Sequence, residues 1–157
     1  MTVEELLDIE RIRKLRVLYS YYLDAAELDS LVGLFAEDAV CEFGPFGVWT
    51  GKTMIAENYA QVMGPMFAKG PFNSLHVNTN HWVEITGPDT AVGRLYLVDL
   101  VMDRPPEDNP MIWLGAYDEA YARVGGQWKI QRSSLQFMWP QRHVAEGFPG
   151  AHLPIGG

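Results

Sequence analysis

Cysteine occurs once in 157 residues, as Cys41. One cysteine rules out an intramolecular disulfide framework and a cysteine-rich metal site, and it fits a reducing, cytoplasmic location. Lys and Arg form no run; 12 of them stand against 20 Asp and Glu, for a net charge of −8. A nucleic-acid partner is not expected from such a balance. No apolar stretch approaches the roughly 18–20 residues needed to cross a bilayer. The charged N-terminus, MTVEELLDIERIRK, lacks the apolar core of a signal peptide, so no membrane association is expected. The motifs HEXXH, CXXC, GXGXXG and GXSXG are all missing. With them go the usual sequence arguments for a zinc site, a dinucleotide loop and a serine nucleophile elbow. Neither a metal nor a cofactor is expected.

What is present is an ordinary apolar fraction of 48% and a large aromatic supply: five Trp, seven Tyr and seven Phe. The length suits one domain with one core. The aromatics suit either a dense core or an apolar ligand cavity, and composition does not choose between them.

Thr2 with Glu5 makes a capping-box pattern, and apolar residues recur from Leu6 through Ile9, Ile12, Leu15, Tyr19 and Leu23 to Ala26 in steps of three or four. This is one long helix with a charged outer face in its first half. Its second half, VLYSYYLDAA, loses that face and reads as a buried end carrying one charge, Asp24. Asp29 and Ser30 are placed to cap a short second helix, LVGLF. A strand over Asp38–Phe43 turns at Gly44–Gly47 into a short return strand at Val48–Trp49. A third helix is expected over Thr53–Met66, broken by Gly64–Pro65. Long strands follow at Ser74–Thr86, Thr90–Asp103, Met111–Val124 and Gln127–Trp139, with Gly125–Gly126 as a hairpin signal. The expected fold is α+β: three helices packed on a strongly curved antiparallel sheet, a cone enclosing a pocket. Residues 1–140 form this domain. The Pro- and Gly-rich tail, 141–157, is either a disordered end or a flap over the opening.

A lone carboxylate in a buried helix needs a partner or a shifted pKa. His76, at the start of the first long strand, is the candidate partner of Asp24. Without a bulge, Asn78, Asn80 and Trp82 share its face, which reads as a pocket wall with hydrogen-bonding groups. The competing reading is a structural histidine. His81 has the opposite parity and is taken as a surface or edge residue. Asp99 is an acid in an otherwise apolar strand, facing either solvent or the pocket. Tyr19 is five residues before Asp24, roughly 140° around the helix, so both border one pocket only if it lies between them. Tyr21 and Tyr22 are expected in the core, as is Cys41. The apolar residues Trp49, Met54, Tyr59, Met63, Phe67, Leu97, Trp113 and Phe137, with Asn78 and Trp82, are the expected pocket walls.

Four segments carry a family resemblance: IERIRKLRVLYSYYLDAAELDSL, LHVNTNHWVEI, TAVGRLYLVD and YARVGGQWKI. In their order they resemble the SnoaL-like branch of the NTF2-like superfamily, which includes scytalone dehydratase, a hexachlorocyclohexane dehydrochlorinase and a bile-acid 7α-dehydratase. By that resemblance the catalytic Tyr, Asp, His and second Asp of the bile-acid enzyme fall on Tyr19, Asp24, His76 and Asp99. An Arg of that enzyme falls near Phe137, and a second pocket His of scytalone dehydratase falls near Leu114. Both are departures: the first argues for a different polar end on the substrate, and the second argues against scytalone dehydratase activity itself. The resemblance implies a cofactor-independent lyase of dehydratase type acting on a small apolar cyclic, steroid-like or aromatic substrate. It also implies a homodimer or homotrimer. Isomerase, dehydrohalogenase and retro-aldol chemistry, or ligand binding without catalysis, are the alternatives.

Overall fold

The computed structural model describes residues 1–148. Helix α1 runs from Val3 to Asp24 and opens with the expected capping box. Thr2 Oγ accepts from the Glu5 amide at 3.1 Å, and the Glu5 carboxylate accepts from the Thr2 amide at 2.5 Å. A left-handed Ala26 (φ 61°) turns the chain into α2, Leu28–Val32. This helix starts ahead of Asp29 and Ser30, so neither side chain caps it. Strands β1 (Phe35–Glu42) and β2 (Val48–Thr50) form a hairpin, and α3 follows over Lys52–Phe67. Pro65 lies inside α3, near its end, where the helix continues through it for a further residue pair. The long strands are β3 (Ser74–Gly87), β4 (Thr90–Val101), β5 (Met111–Val124) and β6 (Gln127–Trp139).

The strands form one curved, unclosed sheet in the order β2-β1-β6-β5-β4-β3. The meander β3–β6 is antiparallel as expected, but β1 pairs with β6 in parallel, so the sheet is mixed. A local pattern cannot show this pairing, because it joins segments that lie about ninety residues apart. Register shifts mark bulges between Thr79 and Trp82 on β3 and at Gln131 on β6, opposite Ala120 and Tyr121 of β5. Each extra residue bends its strand and increases the local twist. Gly93 sits opposite the β3 bulge, where a Cβ would come within 2.8 Å of the Trp82 carbonyl oxygen. Only glycine lets the two strands approach so closely there.

The concave face receives α1. Ile12, Leu15, Tyr19 and Leu23 are buried with Phe35, Leu95, Tyr117, Tyr121 and Ile130 in one apolar cluster. The same stripe of α1 also buries two charges, Asp8 and Arg16. Asp8 accepts from Trp128 Nε1 at 2.9 Å and from Arg11 at 2.9 Å, and it also accepts from Arg123. The far side of α1 is not buried as its composition suggests: Val17 is 54% exposed and Tyr21 63%. Tyr21 is therefore not a core residue, while Tyr22 is partly buried against the core. Among the described residues, no helix is long and apolar enough to cross a membrane.

Asp8→Ala leaves an indole N–H and two guanidinium groups without their buried acceptor. It is expected to cost about 3 kcal/mol, read as a lower urea midpoint with an unchanged m-value.

Candidate active site

Asp24 is the last residue of α1, and its position ties that helix to the edge of the sheet. Its backbone oxygen accepts from the Phe72 amide at 2.6 Å, just ahead of β3. Its carboxylate accepts from the His76 amide at 3.1–3.2 Å and contacts His76 Nδ1 at 2.6 Å. One carboxylate thus holds both the backbone and the ring of the same residue. The two side chains are each 8% exposed. An ionised carboxylate only accepts, so the Nδ1 contact requires the proton on Nδ1 and leaves Nε2 bare in the neutral ring.

The β3–β4 register sets His76 directly opposite Asp99. Directly opposed residues of an antiparallel pair have their side chains on the same face, a few ångströms apart. His76 Nε2 and Asp99 Oδ2 are 3.7 Å apart, beyond a direct hydrogen bond but within charge–charge range. Ser74 Oγ donates to Asp99 Oδ1 in a short hydrogen bond. Burial pushes the Asp99 carboxyl above the ordinary carboxylate range, against the opposing pull of His76 and Ser74.

His76 and Asp99 open onto a cavity of about 330 Å³ between the sheet and α1 and α3. Its walls include Leu23, Trp49, Tyr59, Met63, Leu97, Trp113, Tyr117 and Phe137. Edge-to-face packing fixes part of this wall: the Trp49 and Tyr59 rings lie 5.2 Å apart, and Phe43 and Trp49 lie 4.9 Å apart. Tyr19 also lines the cavity, and its hydroxyl is 2.7 Å from that of Tyr59. Partly exposed polar residues, Asp103 and Arg104, stand at the end of β4, with Lys69 donating to Asp103 at 2.9 Å.

Residues 4–134 match the model of a SnoaL-like domain. The chain belongs to the SnoaL-like family. No curated protein matches it in sequence. Among solved structures it is similar to a protein of Novosphingobium aromaticivorans provisionally assigned as a scytalone dehydratase. The two share 25% identity and a TM-score of 0.74, with 92% of this chain and 94% of that one covered. It is also similar to a point variant of Rv3472 of Mycobacterium tuberculosis, described as of unknown function. Here the identity is 24% and the TM-score 0.73, with 94% of this chain and 83% of that one covered. A third neighbour is the hexachlorocyclohexane dehydrochlorinase LinA-type3 of Novosphingobium barchaimii. At 19% identity and a TM-score of 0.68, with 89% of this chain and 96% of that one covered, it shares the fold.

Within this SnoaL-like cone the expected residues separate into three groups. Tyr19, His76, Asp99, Trp49, Tyr59, Met63, Leu97, Trp113 and Phe137 line the cavity. Asp24 lies behind His76 and faces an outer groove between α1 and β3. Met54, Phe67, Asn78 and Trp82 are not cavity walls. Met54 is 43% exposed at the start of α3, and Phe67 packs on the core beside the cavity. Asn78 turns to α1, accepting from Arg16 at 3.1 Å and donating to Ser20. Trp82 comes after a bulge at the left-handed Asn80 (φ 55°), which breaks the alternation counted from His76. The same bulge corrects His81. It is a half-buried residue whose Nε2 lies 3.0 Å from the Tyr121 hydroxyl, and burial takes its pKa down to about 3. Of the tail, His143 bridges back to Phe137, and the Ala145 amide donates to Gln136 at 2.7 Å. Residues 141–148 line none of the cavity, and 149–157 lie outside the described residues.

The sequence reading missed several residues at the site, among them Leu23 and Tyr117 of the cavity wall and the pair Arg16 and Glu119 behind it. Arg16 Nη1 and Glu119 Oε1 form a fully buried pair at 3.0 Å. Glu119 carried a weaker form of the signal at Asp99, since it follows a second acid, Asp118, in its strand.

A carboxyl whose folded pKa is raised contributes stability below the ordinary carboxylate range and loses it as pH rises through the raised value. Asp99→Asn keeps an acceptor for Ser74 and removes that loss. Its melting temperature is expected to exceed the parent's at pH 8, by roughly 2–4 °C per kcal/mol relieved. The gain should vanish toward pH 4; a pH-independent difference would contradict the shift.

Proposed function

We propose that the protein is a cofactor-independent lyase of dehydratase type, eliminating water from an apolar cyclic substrate. The observation that carries this reading is the placement of His76 on an aromatic cavity, its Nδ1 held by Asp24 at 2.6 Å and its Nε2 3.7 Å from Asp99, a carboxyl with a raised pKa.

In the proposed step, His76 Nε2 takes a proton from the carbon beside a carbonyl or enone. The C–H electron pair moves onto the carbonyl oxygen as an enolate, and Asp24 stabilises the imidazolium formed. Tyr19 donates to the enolate oxygen. The enolate then collapses, expelling the hydroxyl on the β- or vinylogous carbon. That hydroxyl leaves as water with a proton from Asp99. Because Ser74 occupies Oδ1, the acid proton sits on Oδ2, the oxygen nearer His76. No electron acceptor is needed, since the elimination is redox-neutral.

The cavity's volume and aromatic walls favour a flat cyclic compound, steroid-like or polyketide-like, over a sugar or a phosphate. Halide in place of hydroxide leaves by the same route, and the dehydrochlorinase neighbour has this fold. The outer sheet face exposes Leu75, Val77, Tyr96, Ile112 and Leu114, a surface that suits a homo-oligomer.

A screen of hydroxylated cyclic ketones and enones for water loss identifies the substrate. On it, His76→Ala is expected to lower kcat by about 10²–10⁴-fold. Near-full turnover by that variant would reject His76 as the base.

A further inference from the structure

Arg16 is the least expected side chain in the molecule. It lies in the buried stripe of α1 with 1% of its surface exposed. Its guanidinium carbon sits 3.9 Å from the centre of the Tyr19 ring and 4.1 Å from that of Tyr117. Both rings line the cavity, so a full positive charge lies directly beneath the cavity wall that carries the paired Tyr19 and Tyr59 hydroxyls.

The surrounding strands hold this charge in place. Glu119, from β5, receives Arg16 at 3.0 Å, Ser133 at 2.6 Å and the Tyr121 hydroxyl at 2.5 Å. Asn78 of β3 takes a second guanidinium nitrogen at 3.1 Å. Burial works against the guanidinium charge, but Glu119 and the surrounding phenols more than offset it, and Arg16 stays protonated. Arg16 Nε makes no hydrogen bond. The group therefore spends its remaining contacts on aromatic faces. A buried ion pair is an expensive way to fill a core, since apolar residues of similar volume generally do as well or better. Its placement under two cavity tyrosines gives it an electrostatic use. A cation on the face of a phenol withdraws charge from the ring and makes the hydroxyl a stronger donor.

We propose that Arg16 is a positioning residue that tunes the cavity's oxyanion donor: its guanidinium, stacked on Tyr19 and Tyr117 and anchored by Glu119, strengthens the Tyr19 hydroxyl as a donor to a developing negative oxygen. This rests on the reading of Tyr19 as the group that meets the substrate oxygen. Arg16 touches no substrate and acts only through the phenols.

Substituted phenols of graded acidity, small enough for the cavity, test this without knowledge of the substrate. Each is titrated with protein at one fixed pH, and its ultraviolet spectrum gives the bound phenolate-to-phenol ratio. Glu119→Gln removes the balancing negative charge and is expected to raise that ratio roughly tenfold. The paired variant Arg16→Met/Glu119→Gln removes both charges and is expected to lower it severalfold. A purely structural pair would change stability in both variants and leave the ratio unmoved, which overturns the proposal. Should the paired variant fail to fold, the rise in Glu119→Gln decides alone. Tyr19→Phe separates the two levels. If it abolishes phenolate binding while the Arg16 and Glu119 variants leave the ratio unchanged, the role of Tyr19 stands and that of Arg16 falls. If Tyr19→Phe leaves the ratio as in the parent, the oxyanion reading and this proposal fall together. Absence of bound phenolate in the parent protein overturns the proposal as well.

Discussion

The Asp24 carboxylate is the point on which the structure turns. It ends α1, and it accepts both the amide and the imidazole of His76 on the edge strand β3. A carboxylate buried this deeply needs hydrogen-bond donors, and these contacts give one to each of its oxygens. The same contacts cover a backbone amide on an open sheet edge, a group that would otherwise invite pairing with another chain. Helix docking, edge protection and the orientation of one imidazole thus follow from a single side chain. The neighbouring backbone bond from Phe72 to Asp24 keeps the strand entering at the same place.

From that anchor the polar groups of the interior fall into two sets. Asp24, His76, Asp99 and Ser74 form one set at the cavity's polar end. Arg16, Glu119, Ser133, Tyr121 and His81 form the other, beneath Tyr19 and Tyr117. Between them the walls are apolar and aromatic, so each charge acts through a medium that screens it weakly. A site built this way holds its donors and acceptors in place before a substrate arrives, which is the condition for electrostatic stabilisation of a transition state.

Much of this was legible from residue order because it rests on local rules. The capping box at Thr2–Glu5, the period of α1 and the Gly125–Gly126 hairpin all act within a few residues, and the structure has each of them. Asp24, His76 and Asp99 stood out as polar groups in apolar surroundings, and the β3–β4 register brings the last two together. What escaped depends on distant partners or on one inserted residue. The parallel β1–β6 pairing joins chain segments that no local pattern links. The bulge at Asn80 reverses the alternation beyond it, which misplaced Trp82 and His81. Nothing local marks Arg16 as buried and paired, although it shares the buried face of α1 with Ile12 and Tyr19. Its burial becomes intelligible only with Glu119, over a hundred residues away.

The protonation pattern of His76 carries the proposed mechanism. Nitrogen-15 NMR of histidine-labelled protein at neutral pH, with His76 assigned by its Ala variant, reads each ring nitrogen separately. The expected result is a proton on Nδ1, coupled to Asp24, and an unprotonated Nε2 facing the cavity. In Asp24→Asn this pattern should be lost. A His76 carrying its proton on Nε2, with Nδ1 bare against Asp24, would contradict it.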